Sequence, residues 1–263
     1  MINNLASRKN KNFFLKNGYL KFKLKKKNYL YCKKIIENKI WKITKKKFRI
    51  EKIHEYINFE QVNYLRLKIY EHINKNKQFH KSLILSSENH IDSFVGSELV
   101  VSNYNLSIQM PKDQSSILGM HTDFFSGESV FQINLWFPFS NIKKTASMFI
   151  LNPKDSLLAL KKIKYDKNFL IKDIFSKYKN KIKWINFKEG EAMMFSPNCL
   201  HGNVNNLEKN TRWSINVRFK NLYSPYFKEK ENDKKIGVYY KLFTPKLITE
   251  FNAKYNFYEI SKK

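Results

Sequence analysis

Cysteine is scarce in this 263-residue chain, and the two present, Cys32 and Cys199, lie far apart and form no C-x-x-C pattern. That argues against a disulfide framework and for a reducing compartment. Long apolar runs are lacking too. The N-terminus, MINNLASRKNKNFFLKNGYL, has no apolar core of signal-peptide length, and no stretch approaches the roughly 18 apolar residues of a membrane span. A soluble, cytoplasmic protein without a membrane span is the expectation. No internal repeat is visible, and no Pro/Gly/Ser-rich linker marks a domain boundary. Arginine is rare as well: only five of the 50 basic residues are arginine, leaving 45 lysines.

What is present is enough for a core. Apolar residues make up 42% of the chain and aromatics 16%, which argues against general disorder and for one large domain or a core with a helical flank. The net charge of +28 is a possible footprint for nucleic acid, acidic lipid or a phosphorylated substrate. Yet the lysines are dispersed, and Asn and Ile are also abundant. This reads as drift toward AT-rich codons with a solvated basic face; selection for an anionic partner is the alternative. The arginines are more informative. Arg212 and Arg218 fall in one seven-residue stretch, where a planar, two-pronged donor is needed and lysine would not substitute.

Residues 12–30 read as a leading segment, a turn at Asn17-Gly18 and a short strand. From Leu30 to about His90 the spacing is mainly helical, with Val62, Leu65, Ile69 and Ile73 at intervals of three and four. From residue 92 short apolar runs (FVGSELVV, NLSIQM, SVFQINLWF, SMFIL) alternate with turn residues, as strands do. Residues 154–180 read as a helical or loop insertion, after which KIKWINF, EAMMFSP and TRWSINVRF complete the β series. The expected organisation is a largely helical flank over 1–90, a β core over 91–227 carrying the 154–180 insertion, and a C-terminal extension over 228–263. The fold class is mainly β with a helical flank: an antiparallel double-sheet jelly roll, the cupin-like double-stranded β-helix.

Within that core, His121 and Asp123 in LGMHTDFFSG are two apart, so on extended chain both side chains leave one face. Alone such a pair usually marks a polar loop. His201 stands between the turn SPNCL and Gly202, at the start of a strand, where glycine permits close backbone approach. Two imidazoles and one carboxylate suit non-haem Fe(II) with open coordination positions. The remaining histidines (His54, His72, His80, His90) sit in the helical flank and read as surface or structural residues. Arg212 follows His201 by eleven residues. In TRWSINVRF, Arg212, Ser214, Asn216 and Arg218 share one face, while Trp213, Ile215, Val217 and Phe219 share the other. The polar face is either solvent-facing or a strip that holds a carboxylate. In the second case Ser214 is placed to bond a second carboxylate oxygen, and Arg218 meets substrate or an internal acid.

The H-x-D pair, the distal HGN and the arginine at that distance resemble the Fe(II)/2-oxoglutarate-dependent oxygenases of the phytanoyl-CoA dioxygenase type. Within that group, NLSIQMPKDQSSILGMHTDFFSGESVFQINLWFPF, TASMFIL and HGNVNNLEKNTRWSINVRFKNLYSPY look like the 2-oxoglutarate oxygenases found sporadically in bacterial carbohydrate gene clusters. The likeness runs from FLKNGY (Phe14–Tyr19) to about Tyr226 and is dense from Asn105 to Phe227. It implies the jelly roll, Fe(II) on His121, Asp123 and His201, and 2-oxoglutarate with its far carboxylate on Arg212. It also implies Gln109 and Trp136 in the cosubstrate pocket, O2 as partner, and a small-molecule substrate such as a sugar or nucleotide sugar. Many members of the group carry a Pro-Gly-Ser-His turn where this chain has Asn152-Pro153-Lys154-Asp155-Ser156, so no substrate contact transfers from it. Three rival readings are a nucleic-acid dealkylating oxygenase, suggested by the R-x5-R spacing and the charge; a non-catalytic jelly-roll carbohydrate-binding protein; and a jelly-roll metal isomerase.

Overall fold

The structure is a computed structural model that describes residues 7–225, apart from Lys167 and Phe169, together with residues 239–243. Helix α1 (Arg8–Asn17) stops at Gly18, whose φ of 76° is the left-handed cap that glycine adopts without strain. A side chain there would also collide with the Cys199 sulfur, 2.3 Å from the position of a Cβ. The chain turns at once into β1 (Tyr19–Lys23). Three helices follow: α2 (Lys26–Thr44), α3 (Phe59–Lys75) and α4 (Lys77–Val95). A reciprocal capping box between Asn58 and Gln61 starts α3. Its buried residues are Val62, Leu65, Ile69 and Ile73, the stripe read from the spacing. Helix α4 continues five residues past His90, so Phe94 and Val95 finish a helix where a strand was expected.

The strands are β2 (Leu99–Val101), β3 (Asn105–Gln109), β4 (Gln132–Pro138) and β5 (Phe149–Ile150). After α5 (Pro153–Tyr165) and α6 (Ile171–Tyr178) come β6 (Lys183–Trp184), β7 (Glu191–Phe195), β8 (His201–Gly202), β9 (Arg212–Asn221) and β10 (Lys241–Leu242). The Asn152-Pro153 turn serves α5: the Asn152 side chain accepts from the Asp155 N–H, and proline occupies the first turn, where its missing N–H costs nothing. All pairings are antiparallel. A seven-stranded sheet runs β1-β7-β4-β9-β2-β10, with β3 pairing the first half of β9, and a three-stranded sheet runs β6-β5-β8. Strand β1, from the N-terminal flank, is thus the edge of the large sheet. Of the C-terminal extension, residues 228–238 and 244–263 lie outside the described residues. Among the described residues no helix is long and apolar enough to cross a membrane.

The two faces of the large sheet differ in what covers them. Leu106, Ile108, Ile133, Leu135, Phe137, Trp213, Ile215, Val217 and Phe219 pack on the helices in one apolar cluster with Ile36, Leu65, Ile69 and Ile73. Burying the four α3 residues contributes about 1.5–3 kcal/mol each, together comparable to the whole net stability of a domain. The helices therefore belong to the same core. The opposite face carries Trp136, Met193 and Phe195, which pack with Ile150, Ile185 and Phe187 of the smaller sheet and its loops. Arg212, Ser214, Asn216 and Arg218 of β9 lie on that inner face. The solvent-facing alternative for this strip therefore does not hold: Arg212 and Ser214 are buried between the sheets.

Candidate metal centre

Backbone pairing brings the two histidines together. The His121 N–H donates to the His201 carbonyl and the His201 N–H to the His121 carbonyl, both at 2.9 Å, an isolated bridge continuing the small sheet beyond β8. Such a doubly bonded antiparallel pair sends both side chains to the same face. Gly202 makes the approach possible, since a Cβ there would stand 2.8 Å from the carbonyl oxygens of Leu118 and Gly119. Asn203 locks the two runs further, accepting from the Leu118 N–H at 2.5 Å and donating to the Ser116 carbonyl at 3.1 Å. The Asp123 N–H is held by the Pro197 carbonyl at 3.1 Å.

The rings are then oriented one nitrogen at a time. His121 Nδ1 lies 2.7 Å from the Gly119 carbonyl, and His201 Nδ1 lies 2.8 Å from the Cys199 carbonyl. A carbonyl only accepts, so both Nδ1 atoms carry the hydrogen, and both Nε2 atoms of the neutral rings present lone pairs. Each Nε2 is 3.5 Å from Asp123 Oδ1. One ligand atom from each of the three residues lies within 4.8 Å of the others. Three converging lone pairs repel unless a cation sits among them. Metal–ligand distances of about 2.0–2.2 Å put neighbouring donors about 3–3.5 Å apart, which the two Nε2–Oδ1 distances match. The His121 side chain keeps 25% of its exposure, against 5–6% for Asp123 and His201, so solvent reaches the centre beside His121.

The second Asp123 oxygen is already engaged. Oδ2 accepts from Asn134 Nδ2 at 2.6 Å and from Arg218 Nε and Nη2 at 3.3 and 3.1 Å, leaving Oδ1 as a single-oxygen ligand. Burial opposes ionisation of Asp123, but the two imidazoles and the Arg218 charge around it outweigh that and hold the carboxyl well below the usual range. For His121, burial lowers the pKa and Asp123 more than reverses that, so it is raised. Of the two roles expected for Arg218, the structure shows the internal acid: its Nε also stands 3.6 Å from Glu128 Oε1. Burial acts against the guanidinium, yet Asp123 and Glu128 leave its pKa raised.

Arg212 has a different environment. It is buried, its Nη2 donates to Ser107 Oγ at 3.2 Å, its Nη1 reaches the Ala146 carbonyl only at 3.5 Å, and its Nε has no partner. Among the described residues it forms no ion pair. Burial alone lowers its pKa to about 10, which still leaves a full positive charge at neutral pH. Ser214 Oγ, two residues along the same face, is also buried without a partner. Gln109 lies directly across from Arg212 in the β3–β9 register; its amide nitrogen donates to the Val204 carbonyl at 2.6 Å and its Oε1 is unpaired. Trp136 lies across from Asn216, further along the inner face. Sequence reasoning missed Asn134, Glu128, Ser107, Tyr239 and Tyr240. The signal for Asn134 was a polar residue inside an otherwise apolar strand, on the same face as Trp136.

The chain matches no protein-family model and no curated protein sequence. It does superpose on solved structures. EctD from S. alaskensis in its apoform aligns with a TM-score of 0.58 at 12% identity, over 88% of this chain and 87% of that one. A non-heme monooxygenase, the ThoJ–Ni complex, gives 0.54 at 13% identity over 85% and 80%. HygX from Streptomyces hygroscopicus with nickel and 2-oxoglutarate bound gives 0.51 at 9% identity over 85% and 90%. Identities this low speak for architecture: the chain shares with these proteins the double-stranded β-helix with a helical flank.

Proposed function

We propose that the chain is an Fe(II)- and 2-oxoglutarate-dependent dioxygenase that hydroxylates a small molecule, with a carbohydrate or nucleotide sugar as the substrate class. The observation that carries this reading is Arg212, a buried guanidinium without a carboxylate partner among the described residues, on the inner face that Arg218 shares beside the His-Asp-His ligand set. A folded protein retains an uncompensated buried charge at a cost of several kcal/mol, and a dicarboxylate supplies the missing partner. Bound Fe(II), with 2-oxoglutarate and O2, supplies the oxidation of a substrate C–H bond, releasing succinate and CO2.

The residues divide the remaining work. His121 and His201 present Nε2 with tautomers set by the Gly119 and Cys199 carbonyls, and Asp123 presents Oδ1 alone. With three protein ligands, a bound Fe(II) would keep positions open for the cosubstrate and oxygen. Arg212 and Ser214 hold the far carboxylate of 2-oxoglutarate, with Gln109 and Trp136 lining the pocket around it. Retention of Asp123 favours hydroxylation over halogenation, because a halide takes the position of the carboxylate. The lack of a carboxylate partner for Arg212 among the described residues and the converging lone pairs also favour an enzyme over a pure sugar-binding module, which needs neither. HygX, of the same fold, is described with 2-oxoglutarate bound. The carbohydrate class rests on the resemblance of the Asn105–Phe227 stretch.

Anaerobic addition of Fe(II) and 2-oxoglutarate is expected to produce a visible charge-transfer band, and admission of oxygen to release succinate. Sugars and nucleotide sugars that accelerate that release identify the substrate. A folded protein that shows neither the band nor succinate overturns the proposal.

A further inference from the structure

We propose that Glu128 and Tyr239 are positioning residues of the metal centre: they hold Arg218 on one oxygen of Asp123 and so keep the other oxygen for the metal. This rests on the metal-centre reading above and extends it to a C-terminal segment more than a hundred residues from the Asp123 ligand in sequence.

Arg218 is the pivot. Its Nε and Nη2 both donate to Asp123 Oδ2, at 3.3 and 3.1 Å, and neither is paired with Oδ1. Left to itself, a guanidinium prefers the two-pronged arrangement in which each donor takes a separate carboxylate oxygen. That arrangement here would draw Oδ1 away from the two imidazoles. Glu128 opposes it by attracting the same Nε, at 3.6 Å. Glu128 is itself buried, and Tyr239 Oη donates to its Oε1 at 2.5 Å. Tyr240 has one hydroxyl hydrogen, and its short contact is with Gln132 Oε1 at 2.5 Å, against 3.4 Å to Glu128, so Tyr239 is the hydroxyl that fixes the acid. The pairing of β10 with β2 (Lys241 with Val101, Leu242 with Val100) and the Phe243 N–H donating to the Leu99 carbonyl at 2.8 Å anchor both tyrosines.

Glu128→Gln removes one negative charge near Arg218 while nearly conserving shape and volume.

Ni(II) titration of the full chain by calorimetry, alongside the urea-unfolding midpoint of the metal-free protein, tests this. Outer residues that orient metal ligands typically matter about 10–100-fold in affinity. Glu128→Gln is expected to weaken Ni(II) binding by about that factor, Tyr239→Phe by roughly threefold to tenfold through loss of one hydrogen bond to a charged group, and Glu128→Asp to retain more affinity than Glu128→Gln. A Co(II) absorption spectrum altered in Glu128→Gln would show that the ligand set itself has changed. If both Glu128→Gln and Tyr239→Phe bind Ni(II) within twofold of wild type, or lower only the unfolding midpoint, the inference is overturned while the metal centre stands. Should Glu128→Gln not fold, Tyr239→Phe decides alone. A wild-type chain that binds no Ni(II) overturns the metal reading, and this inference with it.

Discussion

The two ends of β9 carry the same side chain on the same face and use it in opposite ways. Arg218 lies between Asp123 and Glu128, and the two carboxylates raise its pKa in spite of burial. Arg212, six residues away, meets only a serine hydroxyl and a distant carbonyl, and burial lowers its pKa to about 10. One guanidinium has its counter-charge supplied by the protein and works as architecture. The other has no counter-charge among the described residues. Residue type and strand face are alike at the two positions, and Arg218 is slightly more exposed than Arg212; what separates them is the inventory of neighbouring anions.

This contrast predicts opposite signs on stability. Arg218→Leu removes the cation that pairs with the buried Asp123 carboxylate and is expected to destabilise the metal-free protein by about 3–5 kcal/mol in urea unfolding. Arg212→Leu removes a buried charge that has no carboxylate partner among the described residues, so unfolding stability without ligand should stay the same or rise. Its effect falls on ligand: affinity of the Fe(II)-loaded protein for 2-oxoglutarate drops by about 2–5 kcal/mol, roughly 30-fold to a few thousandfold, read from the charge-transfer band. Equal destabilisation by the two substitutions, or unchanged 2-oxoglutarate affinity in Arg212→Leu, breaks the comparison.

A gentler test uses pH. Metal binding requires neutral imidazoles. The folded His121 pKa is raised above its ordinary value, burial notwithstanding, because Asp123 favours the protonated ring. Proton competition therefore begins above the usual value of about 6.5, and Ni(II) affinity should fall about tenfold per pH unit below that point. The Arg212 end should show little change, since a guanidinium with a pKa of about 10 stays charged between about pH 7 and 8.5. A 2-oxoglutarate affinity of metal-saturated protein that varies strongly over that interval would count against the assignment of Arg212.

How much of this was legible beforehand depended on distance along the chain. His121 and Asp123 could be paired from an i, i+2 spacing, and the two faces of β9 from strict alternation, because both follow from backbone geometry within one segment. The stripe on α3 was legible for the same reason. The helix end at Val95 was not, since Phe94 and Val95 suit a helix and a strand equally well and Gly96 marks only where the helix stops. Asn134 was hidden inside an apolar run, and Glu128, Tyr239 and Tyr240 carry no local pattern. They matter through contacts with Arg218 or with one another, across strands far apart in sequence.

The sequence by itself determined the ligand types, their shared face and the presence of two arginines on one polar strip, all of which short-range geometry dictates. Only the tertiary structure decided that this strip faces a second sheet, that Asp123 offers one oxygen, and that one arginine is neutralised from within while the other is not. Exposure and charge compensation belong to whatever packs opposite a side chain, and that neighbour is chosen by the fold.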